Sequence, residues 1–150
     1  MKFWVFDLDY TLYTNFKSYN HFHYNHKLIT CLRELNGKKI LFSNGANIHC
    51  NRLIQRMGLF PIFFPYIFSR DAVGFLKPNK KAYKFIQNRI RPKQNDSIIF
   101  FDDQLINLKI AKKFGWKTVH IHPSYNSIEQ IYIDYWFKNV YKALDFFIKK

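Results

Sequence analysis

Cysteine is nearly absent from the 150 residues. Cys31 and Cys50 are the only two, and no spacing around them suits a metal or a redox dithiol. They read as reduced core thiols, which places the chain in the cytoplasm rather than among secreted proteins. No apolar run approaches the roughly 20 residues needed to cross a bilayer. The apolar start of the chain is broken at Asp7, which argues against a signal peptide. Acidic residues are scarce as well: ten Asp and Glu face 24 Lys and Arg, a formal net charge of +14. A surface of that sign attracts polyanions, nucleic acid first among them. The competing explanation is compositional drift, because the chain is rich in Lys, Asn, Phe, Ile and Tyr and its lysines are scattered rather than massed in a run.

What is present suffices for a core. A hydrophobic fraction of 48% with 20% aromatics agrees with a globular fold, and the length fits one domain. Short apolar runs at Phe3–Phe6, Lys39–Phe42, Tyr66–Phe68, Ser97–Phe101 and Lys117–Ile121 read as five buried strands. Helical spacing recurs over Leu28–Leu35, Ala46–Met57, Asn79–Ile90 and Leu105–Phe114, with Pro78 at the first turn of the third. The segment Ser127–Lys149 also carries helical spacing, with Ile131, Tyr135, Val140, Leu144 and Phe147 facing the sheet. Strands alternating with helices predict an α/β, Rossmann-like three-layer sandwich around a parallel sheet of about five strands. Ligands in such sheets bind beyond the carboxyl ends of the strands.

Polar residues with chemical potential stand at those ends. Asp7 and Asp9 follow the first strand, with Thr11 two residues on. Two carboxylates so close repel unless a divalent cation lies between them or one holds a proton; the bland alternative is a turn cap. Ser43 and Asn44 sit between the second strand and its helix, where a hydroxyl and free N–H groups suit a phosphate, or simply an N-cap. Lys77 stands at a loop-to-helix junction. Asp102 and Asp103 end the fourth strand. If the first and fourth strands are neighbours, both acidic pairs meet in one crevice, and clustered acidic oxygens without thiols suit magnesium. Between Thr14 and Lys27 lies a polar loop or small flap holding His21, His23 and His26. It reads as a solvated loop before a phosphate-touching rim, and as a rim before a metal site. His120 and His122 flank the end of the fifth strand without an assignable role.

The chain resembles the haloacid dehalogenase-like (HAD) superfamily. The motifs are Phe6-Asp-Leu-Asp-Tyr-Thr-Leu-Tyr13, Phe42-Ser-Asn-Gly45, Gly74-Phe-Leu-Lys-Pro78, and Phe100-Phe-Asp-Asp-Gln-Leu-Ile-Asn107 continuing to Gly115. Leu12-Tyr13 and the Asp-Asp-x-x-x-Asn pattern are most similar to the pyrimidine 5′-nucleotidase-like branch. The resemblance implies a Mg²⁺-dependent phosphomonoesterase working through an aspartyl-phosphate on Asp7, with Asp9 as general acid and base. It places Mg²⁺ on the Asp7 carboxylate, the Asp9 carbonyl and Asp103, with Asp102 bracing the site and Asn107 supporting Asp103. It assigns the phosphoryl oxygens to Ser43, the N–H of Asn44 and Lys77, with Thr11 beside them. It also implies a HAD-like core over residues 1–150 with a small flap at about 12–27.

Residues 12–42 leave no room for the large helical cap that nucleotidases of the superfamily usually insert there. The expected site is therefore open. The expected substrate is a nucleotide or other small phosphorylated metabolite. The alternatives are a macromolecular phosphate, on a nucleic-acid end or a phosphoprotein, and a non-catalytic nucleic-acid-binding module. Oligomerisation would cover the open site. Dehalogenation fits poorly, because dehalogenases of the superfamily lack the second carboxylate that Asp9 supplies.

Overall fold

The computed structural model describes residues 1–125, 128 and 130–150. Fifteen elements follow one another among the described residues. β1 (Lys2–Phe6) leads through a single 3-10 turn at Tyr19–His21 into α1 (His26–Glu34), β2 (Lys38–Phe42) and α2 (Asn47–Arg56). The short α3 (Phe60–Phe63), β3 (Ile67–Phe68), the short α4 (Arg70–Val73) and α5 (Lys80–Ile90) follow. β4 (Ser97–Asp102), α6 (Leu105–Lys113) and β5 (Lys117–Ile121) precede a second 3-10 turn at Gln130–Tyr132, β6 (Tyr135–Phe137) and α7 (Val140–Lys149).

The sheet runs β3-β2-β1-β4-β5-β6, with every pairing parallel. Successive side chains of a strand face opposite sides, and β1 shows both. Trp4 and Phe6 join one core with α1, α2 and α7. Phe3 and Val5 join the other with α5 and α6. Helices thus cover both faces of a three-layer α/β fold, as the alternation of strands and helices predicts. Asparagines start three of the helices: the side chains of Asn25, Asn79 and Asn139 accept from Leu28 N, Lys81 N and Lys142 N. Pro78 lies before the Asn79 cap instead of inside the first turn.

The sheet has one strand more than the sequence reading gives. Of the predicted helix over Ser127–Lys149, residues 127 and 129 lie outside the described residues. The remainder forms a 3-10 turn, β6 and α7. The reason is local: Asp134 accepts from the Thr118 backbone N–H at 2.8 Å and pairs with Lys112. That docks residues 135–137 along β5, and Asn139 starts the helix anew. Val140, Leu144 and Phe147 are buried as expected, but Ile131 is 75% exposed. The short stretches at Phe60–Phe63 and Arg70–Val73 each hold one helical turn that the strand and helix spacing does not predict.

β1 occupies the centre because the chain moves outward to β2 and β3 and then returns on the other side to β4. Phe6 pairs with Phe101, and Asp7 N donates to Phe101 O at 2.9 Å. The first and last acidic motifs therefore meet where strand order reverses.

Candidate active site

Asp7 is the first residue beyond β1, and both its carboxylate oxygens are held. Lys77 Nζ lies 3.0 Å from Oδ1, and the Thr11 hydroxyl donates to Oδ2 at 3.0 Å. Thr11 reaches back because Tyr10 takes a left-handed conformation, φ 62°, which closes the turn so that Thr11 N and Leu12 N both bond Leu8 O. The Thr11 hydroxyl is thus committed to orienting Asp7, where the resemblance placed it beside phosphate.

Lys77 is buried, and its ammonium has three acceptors: Asp7 Oδ1, Asp102 Oδ2 at 2.9 Å and Phe42 O at 2.8 Å. An ammonium has three protons, so a phosphoryl oxygen reaching Lys77 must share one of these donors. Asn44 fixes the Lys77 main chain, donating from Nδ2 to Lys77 O at 3.0 Å and accepting from Lys77 N at Oδ1 at 2.8 Å. The Ser43 hydroxyl accepts from Gly45 N, and Asp71 accepts from Asn47 N at the start of α2. The Asn44 N–H has no partner among the described residues.

Asp102 is fully buried and saturated. It accepts from Gln104 N, from Lys77 and at both oxygens from Asn107 Nδ2. Asn107 therefore braces Asp102, not Asp103 as the resemblance implied, because the first turn of α6 carries it back toward the end of β4. Tyr83 OH in turn donates to Asn107 O at 2.8 Å. Asp103 is half-buried. Its carbonyl accepts from His120 Nε2 at 3.0 Å, which fixes the proton on that nitrogen. This contact gives His120 a bracing place that its sequence position did not reveal. The His120 and His122 rings stack with centroids 5.4 Å apart.

Burial lifts the Asp7 carboxyl to about 6; the Lys77 charge pulls it down and the Asp103 charge adds to the rise. Burial also raises Asp102, which Lys77 only partly offsets, and raises Asp103, with Asp102 adding to it. For Lys77, burial alone would favour the neutral amine, but the charges of Asp102 and Asp7 outweigh it and hold the ammonium. Ligand oxygens of Asp7, Asp102 and Asp103 lie within 4.8 Å of one another. Three carboxylates face one ammonium, so full ionisation leaves two negative charges in excess, which a hard divalent cation would balance. With Asp102 saturated, Asp7 and Asp103 are the carboxylates left to hold it. The three flap histidines do not converge: His21 bonds Ser18, the His26 ring lies tilted against Tyr24 and His23 is exposed.

Asp9 reveals what sequence reasoning missed. Its Oδ1 accepts from Tyr13 OH and lies 2.7 Å from Nε2 of His49, a residue in the first turn of α2 that no motif marks. Only the long-range contact, forty residues away in sequence, could have found it. Two cavities flank Asp103. One, of about 450 Å³, is lined by Leu105, His120, His122 and Tyr125. The other, of about 430 Å³, is lined by Tyr10, Thr14, His122, Lys138 and Asn139. No helix among the described residues is long and apolar enough to cross a membrane.

Comparison with known proteins agrees with the fold. A family profile described as haloacid dehalogenase-like hydrolase matches residues 22–115. Bifunctional epoxide hydrolase 2 of Mus musculus is 28% identical over 79 residues, which is 53% of this chain and 14% of that protein. The chain thus spans a small part of the curated relatives it matches. Among solved structures, the magnesium-bound HAD-type protein YfnB of Bacillus subtilis superposes with a TM-score of 0.69 at 21% identity, covering 80% of this chain and 54% of that one. The L-2-haloacid dehalogenase of Xanthobacter autotrophicus, with chloropropionic acid covalently bound, gives 0.67 at 18% identity, covering 85% and 62%. At such identities the superpositions speak for the fold. With the profile covering well over half of the residues, the chain belongs to the haloacid dehalogenase-like hydrolase family.

Proposed function

We propose that the protein is a Mg²⁺-dependent phosphomonoesterase whose catalytic core spans residues 1–150 with a flap at 12–27. The observation that carries this reading is the excess of buried carboxylate around Lys77, together with a second carboxylate at Asp9. A nucleophilic Asp7 alone would serve halide displacement, because a halide leaves without a proton. An alkoxide leaves far more readily when protonated. A carboxyl group two residues from the nucleophile, outside its ion-pair cluster, therefore favours an oxygen leaving group over the halide of the dehalogenase neighbours.

Asp7, turned by Thr11 and Lys77, attacks phosphorus through a carboxylate oxygen. The bond to the ester oxygen breaks as that oxygen takes the proton of Asp9. Water then attacks the aspartyl-phosphate, gives its proton to the Asp9 carboxylate and releases phosphate, restoring Asp7. Ser43 and the open N–H of Asn44 offer donors to the phosphoryl oxygens, and Lys77 offsets their charge. Asp7 and Asp103, with the Asp9 carbonyl, would hold Mg²⁺, which supplies electrophilic stabilisation of phosphoryl charge. Asp102 and Asn107 keep Lys77 in place.

The cavities beside Asp103 lie in the range of small-ligand pockets, which supports a nucleotide or similar small phosphate ester. The charge of +14 favours a nucleic-acid end as the second reading. Salt separates the two: contacts to several backbone phosphates give a steep loss of affinity with added salt, and a single small ester a shallow one. The first experiment is hydrolysis of an aryl phosphate with and without Mg²⁺, comparing the parent with Asp7→Asn. Metal-dependent turnover that drops by orders of magnitude in the variant is expected. Absence of phosphate release, with halide release from a 2-haloacid, would overturn the proposal.

A further inference from the structure

His49 lies outside every motif, yet its imidazole reaches the proposed acid and base. Nε2 is 2.7 Å from Asp9 Oδ1, and Nδ1 is 2.8 Å from the hydroxyl of Tyr19 in the flap. Tyr13 OH donates to the same Oδ1. The polarity of this chain follows from its ends. A carboxylate oxygen only accepts, so Nε2 carries a hydrogen. In a neutral ring Nδ1 then accepts, and Tyr19 O–H donates to it. Burial and the Asp9 contact push the Tyr13 phenol far above its usual range, so that it too remains a donor.

We propose that His49 and Tyr13 are positioning residues for Asp9: their two donors occupy both lone pairs of Oδ1, so the proton that Asp9 transfers resides on Oδ2. An sp² oxygen has two lone pairs, and both are committed. Among the described residues none hydrogen-bonds Oδ2. This inference rests on the phosphomonoesterase reading and adds which oxygen of Asp9 works and what aims it.

The surroundings of His49 are built to hold the ring. Phe16 and Tyr19 flank it, with centroids 5.9 and 5.7 Å away. The Arg52 guanidinium lies 4.2 Å from the Tyr19 ring centroid. The ring also abuts Gly45, where a Cβ would come within 2.9 Å of His49 Cδ2. The flap thereby connects to the chemistry through Tyr13 and Tyr19, and the phosphate-facing loop connects through Gly45. The Asp9 and His49 side chains are 30% and 22% exposed, so solvent screens the part-buried pair and limits what it adds to stability. Holding the chain together is therefore a poor explanation for the contact.

The test is a leaving-group series on His49→Ala and Tyr13→Phe with Mg²⁺ supplied. An alkyl phosphate needs its leaving oxygen protonated; 2,4-dinitrophenyl phosphate does not. Misaiming the acid should lower kcat/KM for the alkyl ester by about 10- to 100-fold, a part of the full effect of general acid catalysis. The dinitrophenyl ester should lose less than about threefold. His49→Gln, which keeps a donor near Nε2, should recover most of the alkyl activity. Equal loss on both esters, or no loss on either, overturns the inference while leaving the phosphomonoesterase reading intact. A parent without any phosphate turnover overturns both. Independent of turnover, ¹⁵N NMR of the parent imidazole should show the Nε2–H tautomer; an Nδ1–H ring also overturns the inference.

Discussion

Asn44 grips the main chain of Lys77 with both ends of its amide, at 3.0 and 2.8 Å, across thirty-three residues of sequence. The loop after β2 thereby sets the position of the ammonium that touches Asp7. Asn44→Ala removes both bonds and leaves the peptide groups of Lys77 partly buried and unpaired. Stability should fall by roughly 1–3 kcal/mol in urea melts, and turnover by at least about tenfold. Asn44→Asp, which keeps the acceptor and loses the donor, should fall between the two. An Asn44→Ala protein with parental kcat would show that Lys77 is placed by its own ion pairs alone.

Lys77 pairs with two carboxylates that are otherwise out of water. Lys77→Met should therefore destabilise by about 3–5 kcal/mol at neutral pH, measured by chemical denaturation. Adding Asp102→Asn removes one stranded charge, and most of the lost stability should return while turnover does not. If the single variant matches the parent in stability, compensation of buried charge is not what Lys77 does.

Proton and cation compete for Asp7. With its pKa pushed up to about 6, Mg²⁺ affinity measured by calorimetry should be level above pH 7 and fall up to about tenfold per unit below 6. Metal-free stability follows from the same group. A carboxyl raised above its unfolded value of 3.8 stabilises most below that value and loses the contribution as pH climbs through about 6. The loss is on the order of 3 kcal/mol. Thermal melts from pH 4 to 7 should show this decline without metal and a much smaller one at saturating Mg²⁺. A metal-free stability that rises over that window would contradict the assignment.

Gly45 is the point where the phosphate-facing loop touches the Asp9 contacts. A methyl there would meet His49 Cδ2 at 2.9 Å, Ser43 Oγ at 3.2 Å and Cys50 Sγ at 3.3 Å. Gly45→Ala should cost about 1–3 kcal/mol through overpacking and reduce turnover of alkyl phosphates more than its small stability loss explains. Parallel melts and kinetics of this variant would separate the two effects.

The sheet was legible because a buried strand announces itself locally. Runs such as Ile98–Phe101 and Ile40–Phe42 are apolar on both faces and end in polar turns. β6 was not, because Tyr135-Trp-Phe137 joins the sheet through Asp134 and Thr118, a contact that no local pattern encodes. The same division holds at the site. Asp7, Asn44, Lys77 and Asp102 stand at strand ends or in the loops between elements, where the sequence order looks for a ligand crevice, and hydrogen bonds join them there. The direction of each side chain was beyond reach. Asn44 faces Lys77, Asn107 faces Asp102, and His49 faces Asp9 because helices and loops from distant segments set those angles.

The central place of β1 carries a consequence for how the chain acquires its structure. β1 can pair early with β2, its neighbour in sequence, but Lys2 pairs with Ser97, a loop closure that comes late and slowly. Until β4 arrives, Asp7 has neither the Phe101 carbonyl beside it nor Asp102 and Asp103 across from it. The carboxylates that repel one another and the strand that brings them together thus arrive in a single step. A nascent chain that has emerged only as far as α5 holds most of the helices and one half of the sheet, yet has only Asp7 and Lys77 of the charge cluster.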